Sequence, residues 1–311
     1  MRVIFMGTPE FAVPSLHYLA QKSNNSLIAV VTTIDKPSGR GQLVSSSPVK
    51  MRAEALQLPV IQVLNLKDEV FLQNIKLLNP DIFVVVAFRM LPIELYSIPK
   101  LGAINLHASL LPYYRGPAPI QWTLINGETR TGVTTFQIDA GIDTGNILLQ
   151  EAVDILPDET AGELSERLAE IGARLVVKTL DQFKSGTLTP QKQIIDIGSR
   201  APKITPEMGL LNWNKSASAI VNLIRGLSPK PAAYTFFNDM KLKLYRAKIA
   251  DICILNAPPG YVIESNPKKG LIVQAGEGAV EIISVQREGK KTITACELLR
   301  GIHIPEGSIF L

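Results

Sequence analysis

The sequence predicts an α/β protein: an open, Rossmann-like, mostly parallel sheet with helices on both faces, followed by a small C-terminal β-barrel. Three observations carry this expectation. Strand and helix patterns alternate over the first two hundred residues, as they do when crossover helices wind a sheet. Asp81-Ile82-Phe83-Val84-Val85-Val86-Ala87 is apolar at consecutive positions, which suits a central strand buried on both faces. Beyond residue 208 the alternation gives way to short apolar runs punctuated by Gly and Pro, a spacing that suits a barrel.

Taken in order, residues 3–6 read as the first strand, ending at Gly7-Thr8-Pro9-Glu10. Thr8 is expected to cap a helix there, with Pro9 in its first position. Residues 27–33, 81–87, 101–106 and 132–138 follow as strands, with helices near 49–55, 68–78 and 118–126. The longest helix opens on a capping box, Thr160 with Glu163. Its apolar face runs through Leu164, Leu168, Ile171, Leu175 and Phe183, and Gly186 stops it. A polar, Pro-containing stretch then reads as a linker. One more helix, 215–225, precedes strand candidates at 241–245, 260–263, 270–275, 279–285 and 302–311. The expected domains are therefore 1–188 and 208–311, joined by 189–207.

Composition narrows the function. With 46% hydrophobic and 19% charged residues, 311 residues can bury substantial cores. No run of about 18 apolar residues occurs, so no membrane span is expected. The N-terminus reads directly as a strand without a basic or extended apolar leader, and the two cysteines, Cys253 and Cys296, lack paired spacing. A cytoplasmic, reducing setting is expected. His17, His107 and His303 are scattered, so no metal site is expected. Residues 201–311 hold 14 Lys and Arg against 9 Asp and Glu, whereas residues 1–200 hold 18 against 19. A neutral first part beside a basic last part suits catalysis next to polyanion binding.

The motifs are more specific. Gly7 is not part of a GxGxxG, which disfavours a nicotinamide dehydrogenase and leaves Gly7 as a turn glycine. In Asn105-Leu106-His107-Ala108-Ser109-Leu110-Leu111-Pro112, Asn105 and His107 are two apart on a strand and point the same way at its carboxyl end. Asn supplies a neutral donor and His a proton exchanged near neutral pH. A strand-end turn with a structurally bonded histidine fits the same residues. Asp139-Ala140-Gly141-Ile142-Asp143-Thr144-Gly145 has glycine at position three and Gln150 at position twelve, so it is not a calcium loop. Lys36-Pro37-Ser38-Gly39-Arg40-Gly41 opens a polar loop that suits either a phosphate backbone or plain solvent exposure.

These segments occur in order with Arg115-Gly116-x-Ala118-Pro119-Ile120-Gln121, Ile224-Arg225-Gly226-Leu227, Ala233-Tyr234-Thr235 and Leu299-Arg300-Gly301. Together they resemble the methionyl-tRNA formyltransferase family, within the 10-formyltetrahydrofolate-dependent formyltransferases, over nearly the whole chain. Three places depart from its pattern. Phe88-Arg89 follow Ala87 where Tyr-Gly is usual, Gln42-Leu43 follow Arg40-Gly41 where Lys-Lys is frequent, and Lys230 stands in Pro229-Lys230-Pro231 where Trp is usual.

The resemblance implies an OB-like barrel and formyl transfer from N10 of 10-formyltetrahydrofolate to the α-amine of initiator methionyl-tRNA. It implies Asn105 and a charged His107 at the oxyanion. Asp143 would support His107 and take the amine's proton, with neither metal nor covalent nucleophile. The folate would lie among Phe88, Arg89, Met90, Leu91, Ser109, Leu110, Leu111, Pro112, Asp139, Ala140 and Gly141. Transfer RNA would meet Arg40, Lys241, Lys243, Arg246, Lys268 and Lys269, and no obligate protein partner is expected. A sibling formyltransferase acting on a nucleotide-sugar amine is the nearer alternative, and a non-catalytic RNA-binding module the distant one.

Overall fold

A computed structural model describes residues 1–38, 43–194, 197–254 and 256–311. These residues form two compact units that interleave along the chain. One holds Met1–Gly116, Thr131–Val153 and Ser165–Arg200; the other holds Pro117–Arg130, Asp154–Leu164 and Ala201–Leu311. No described helix is long and apolar enough to cross a membrane.

In chain order the first half contains β1 (Arg2–Gly7), α1 (Val13–Gln21), β2 (Ser26–Thr33), β3 (Lys36–Ser38), β4 (Leu43–Ser45), α2 (Pro48–Ala55), β5 (Val60–Val63), α3 (Glu69–Leu77), β6 (Ile82–Val86), α4 (Ile93–Tyr96) and β7 (Ala103–His107). Then come α5 (Pro119–Ile125), β8 (Arg130–Gln137), β9 (Ile147–Asp154) and α6 (Ala161–Ser185). The large sheet has the order β5-β2-β1-β6-β7-β8-β9. Pairing is parallel from β5 through β7, and β8 runs antiparallel to β7. The central position of β6 explains its unbroken apolar run, every residue of which is buried. Side chains alternate across a strand. Ile4 and Met6 of β1 therefore join Phe71 and Ile75 of α3 and Leu95 of α4 in one cluster. Val3 and Phe5, on the opposite face, are equally buried. Both faces are covered, so ligand access is left to the strand ends.

The start of α1 differs from the expectation. Pro9 is extended (ψ 175°), and a tighter 3-10 turn, Glu10–Ala12, intervenes before the α-helix begins at Val13. Thr8 caps nothing; its hydroxyl is buried without a partner among the described residues. The cap of α6 forms as read: the Thr160 and Glu163 N–H groups each donate to the other's side chain, at 3.0 and 3.4 Å. That hydrogen bond from the Thr160 backbone, then the Thr160 hydroxyl and Arg246, holds the Glu163 carboxyl below the usual carboxylate range.

The second unit contains α5, α7 (Ala217–Leu227), β10 (Ala233–Phe237), β11 (Met240–Ile249), β12 (Val262–Asn266), β13 (Gly270–Gln274), β14 (Ala279–Arg287), β15 (Thr292–Thr294) and α8 (Ala295–Gly301). Its sheet runs β10-β11-β14-β13-β12, with β15 paired to β14, and the pairings are antiparallel. Residues 302–311 do not form the strand expected of them. They cross between the two sheet edges instead, which breaks a continuous ladder. Val262 and Gly260, at the β12 edge, accept from or donate to Gly307, Ser308 and Phe310, while Phe236 of β10 exchanges hydrogen bonds with Leu311. This tie closes the sheet on itself. Inside lie Trp213, Leu242, Leu244, Val273, Ile282, Leu298 and Phe310. Gly226 lets α7 approach α5, because a Cβ there would stand 2.7 Å from Ile125 Cγ1 and 3.1 Å from the Gln121 carbonyl.

Candidate active site

Three parallel strands, β1, β6 and β7, end beside one another, with Gly7 level with Val86 and Val86 level with Leu106. Asn105 and His107 lie in the last three residues of β7 and face the same way. The Asn105 carbonyl oxygen Oδ1 is buried with no partner among the described residues. A buried polar atom is rarely left unpaired, so this side chain stands ready for an incoming group. The amide offers both an acceptor oxygen and a donor nitrogen.

His107 is only 7% exposed and lies edge-on to the Phe136 ring. Its Nε2 lies 2.8 Å from the Tyr114 carbonyl. A carbonyl only accepts, so Nε2 carries a hydrogen and Nδ1 is the nitrogen turned toward Asp143. Asp143 Oδ2 is 3.7 Å from Nδ1 and accepts the Gly116 N–H at 2.8 Å. Asp143 itself has φ +55°, the left-handed region that L side chains rarely enter. The turn around it needs Gly145, where a Cβ would stand 1.7 Å from the Gln137 carbonyl. His107 and Asp143, distant in sequence, thus meet at the carboxyl end of a parallel sheet, with Asn105 two residues before His107 on the same face of β7. The described residues hold no cluster of ligand-type side chains suited to a metal ion.

The residues expected to hold the folate differ in exposure. Phe88 packs on the core, Leu91 is buried and Met90 is 74% exposed. Arg89 turns back, donating to the carbonyls of Leu64 at 2.5 Å and Val63 at 2.8 Å, and burial pulls its guanidinium below the usual range. Met90 and Leu91 border a depression of about 400 Å3 with Leu66 and Lys67. Ser109 is buried and donates to the Tyr113 carbonyl at 2.6 Å; Leu111 is buried and Leu110 half-buried. Pro112 leads into the 113–116 loop. Asp139 accepts from the Gly141 N–H at 3.0 Å and the Thr144 hydroxyl at 2.7 Å, leaving Ala140 and Gly141 exposed at the tip.

A profile of the formyl transferase family matches residues 1–180, and one of the formyl transferase C-terminal domain matches residues 203–303. A methionyl-tRNA formyltransferase of Caldanaerobacter subterraneus is 46% identical over 99% of both chains. One of Thermodesulfovibrio yellowstonii is 46% identical over 98% of this chain and 97% of its own. The chain belongs to the methionyl-tRNA formyltransferase family. It is a formyl-transferring enzyme. Among solved structures, the sugar 3N-formyl transferase WlaRD, crystallised with dTDP and 5-N-formyl-THF, shares the fold at TM-score 0.66 and 22% identity, covering 94% of this chain and 99% of its own. HypX from Aquifex aeolicus in complex with tetrahydrofolic acid does so at 0.63 and 17%, covering 96% and 47%.

The formyltransferase's expected tRNA residues are dispersed. Arg40 lies outside the described residues. Among the described residues nearest it in sequence, Asp35 accepts from Lys50 at 2.5 Å and from Gln62 at 2.8 Å. That bond from Lys50 holds the Asp35 carboxyl below its usual range. Lys241 sits 3.7 Å over the Tyr234 ring, Arg246 pairs with Glu163, and Lys269 pairs with Glu264 at 3.6 Å. Lys243 lies on β11 opposite Tyr234, and the Lys268 backbone donates to Asn266 in the β12–β13 turn. The sequence reading missed Tyr114 and Gly116, which fix the two ends of the His107–Asp143 pair through backbone atoms. Backbone donors and acceptors leave no residue-type signal to find.

Proposed function

We propose that the protein transfers a formyl group from N10 of 10-formyltetrahydrofolate to the α-amine of initiator methionyl-tRNA. One observation carries this reading: relatives named for that activity match at 46% identity from end to end, whereas the sugar formyltransferase neighbour stands at 22%. Within the chain, residues 1–188 would perform the chemistry and 208–311 would hold the RNA.

The chemistry follows from the residue types. The amine must attack unprotonated; an α-amine titrates near roughly 7.7–8.0, so freeing it at neutral pH costs only about 1 kcal/mol. Its nitrogen bonds to the formyl carbon, the carbonyl oxygen becomes an oxyanion, and the carbon–N10 bond then breaks as N10 gains a proton. Asn105 would donate to that oxyanion through its amide nitrogen. His107, fixed between Tyr114 and Asp143, would supply the positive partner. Asp143 would take the proton the amine loses, directly or through water. The folate would lie against Phe88–Leu91, Ser109–Pro112 and Asp139–Gly141, where apolar walls and backbone groups can hold a flat ring.

The test is to incubate the protein with 10-formyltetrahydrofolate and methionyl-tRNA, release the amino acid and identify it. Formylmethionine is expected. Unmodified methionine, under conditions where the donor is consumed, would overturn the reading.

A further inference from the structure

Gln193 lies in the stretch that the sequence marks only as a polar linker, yet it is 4% exposed. It is placed by its neighbour Gln191, whose N–H and carbonyl exchange hydrogen bonds with Ile147 at 2.8 Å each, beside β9. The Gln193 amide then satisfies every group it reaches. Its nitrogen donates to the carbonyls of Asp143 at 3.0 Å and Gly145 at 2.7 Å. Its oxygen accepts from Arg115 Nε at 3.2 Å and Nη2 at 2.8 Å. Carbonyls accept and guanidinium groups donate, so only one orientation of the amide is possible. The residue after Arg115 is Gly116, whose N–H holds the Asp143 carboxylate.

A closed circuit results: Asp143 carboxylate, Gly116, Arg115, Gln193 and back to the Asp143 carbonyl. It grips both ends of a residue whose backbone sits at φ +55°, a conformation that surrounding contacts must enforce. The same stretch braces the other side of the pair. Ser199 accepts from the N–H of Arg115 on its carbonyl and from the N–H of Tyr114 on its hydroxyl, each at 3.2 Å. Tyr114 is the residue whose carbonyl faces His107.

We infer that Gln193 is a positioning residue for the formyl transfer: its amide sets the place and direction of the Asp143 carboxylate opposite His107. The inference rests on Asp143 acting in the reaction as proposed above. Gln193→Glu tests it selectively, since a carboxylate keeps the Arg115 contact and replaces both donated hydrogen bonds by oxygen–oxygen repulsion. Gln193→Met keeps the volume and removes all four bonds, and serves if the carboxylate variant does not fold.

Displacing a catalytic group by about 1 Å can cost roughly 10²-fold. Accordingly kcat should fall between about 10- and 100-fold, with KM for methionyl-tRNA and for the folate within about twofold. In an Asp143→Asn background the same Gln193 substitution should cost less than about twofold, because residues acting as a unit are non-additive. A purely structural glutamine would multiply its cost into either background. A folded Gln193 variant with wild-type kcat, or decreases that multiply in the double variant, would overturn the inference while leaving the role of Asp143 intact. Full activity in Asp143→Asn alone would instead overturn the role of Asp143 itself, and the inference with it.

Discussion

A buried amide oxygen without a partner is costly, about 1–3 kcal/mol, and such costs persist where function needs the group. Asn105 is that residue here. The amide nitrogen of the same side chain is the proposed oxyanion donor; removing one such donor typically costs about 10²–10³ in turnover, so Asn105→Ala should lose that much kcat while tRNA affinity, measured by filter binding, stays within a few-fold. Wild-type turnover would leave Asn105 as a strand-end residue and no more. The same-face placement of Asn105 and His107 is legible in the sequence because a strand alternates with period two. Asp143 can be chosen only through the family resemblance. Gln193 is not legible at all: its partners are 48, 50 and 78 residues away, and a lone glutamine in a polar stretch carries no pattern. His107 also differs from the expectation in one respect, since its Nε2 faces the Tyr114 carbonyl. Catalytic hydrogen bonds commonly realign when substrate binds.

Elements with strong periodicity or capping chemistry are legible close to their observed bounds. The capping box of α6, the all-apolar β6 and the helix over Ala217–Leu227 are examples. The strands β5, β9 and β10 do not stand out in the sequence; each is ordered by the neighbouring strand rather than by its own pattern. Thr8 shows the opposite failure, a good capping residue overridden by the extended Pro9 and a tighter first turn. The Ile224-Arg225-Gly226-Leu227 segment acquires a physical reason in the structure. Gly226 sits where α7 meets α5, with backbone and side-chain atoms too near for a methyl group. Overpacking of this kind costs about 1–3 kcal/mol, so Gly226→Ala should lower the urea midpoint accordingly. An unchanged midpoint would show that α5 yields at no cost.

Across the whole molecule, charge is uneven, with 14 basic against 9 acidic residues after position 200 and 18 against 19 before it. Two of the basic side chains expected to meet RNA are already matched by acids, Arg246 by Glu163 and Lys269 by Glu264. Lys243, on the strand pair β10–β11, has no such ion pair among the described residues. Each phosphate interaction removed should reduce the slope of log binding constant against log salt by about 0.7–0.9. Lys243→Glu is therefore expected to flatten the slope for methionyl-tRNA by about one unit while folate binding is unchanged. A truncation at residue 207 would not isolate the effect, because α5 shares its unit with α7. The central claim concerns which amine is formylated, and it is tested most directly by kcat/KM for two acceptors under one set of conditions. With 10-formyltetrahydrofolate as donor, methionyl-tRNA should exceed an amino-sugar nucleotide by at least about 10³, the discrimination expected when one acceptor meets polar groups built for it. Equal or greater efficiency with the amino-sugar nucleotide would contradict the account.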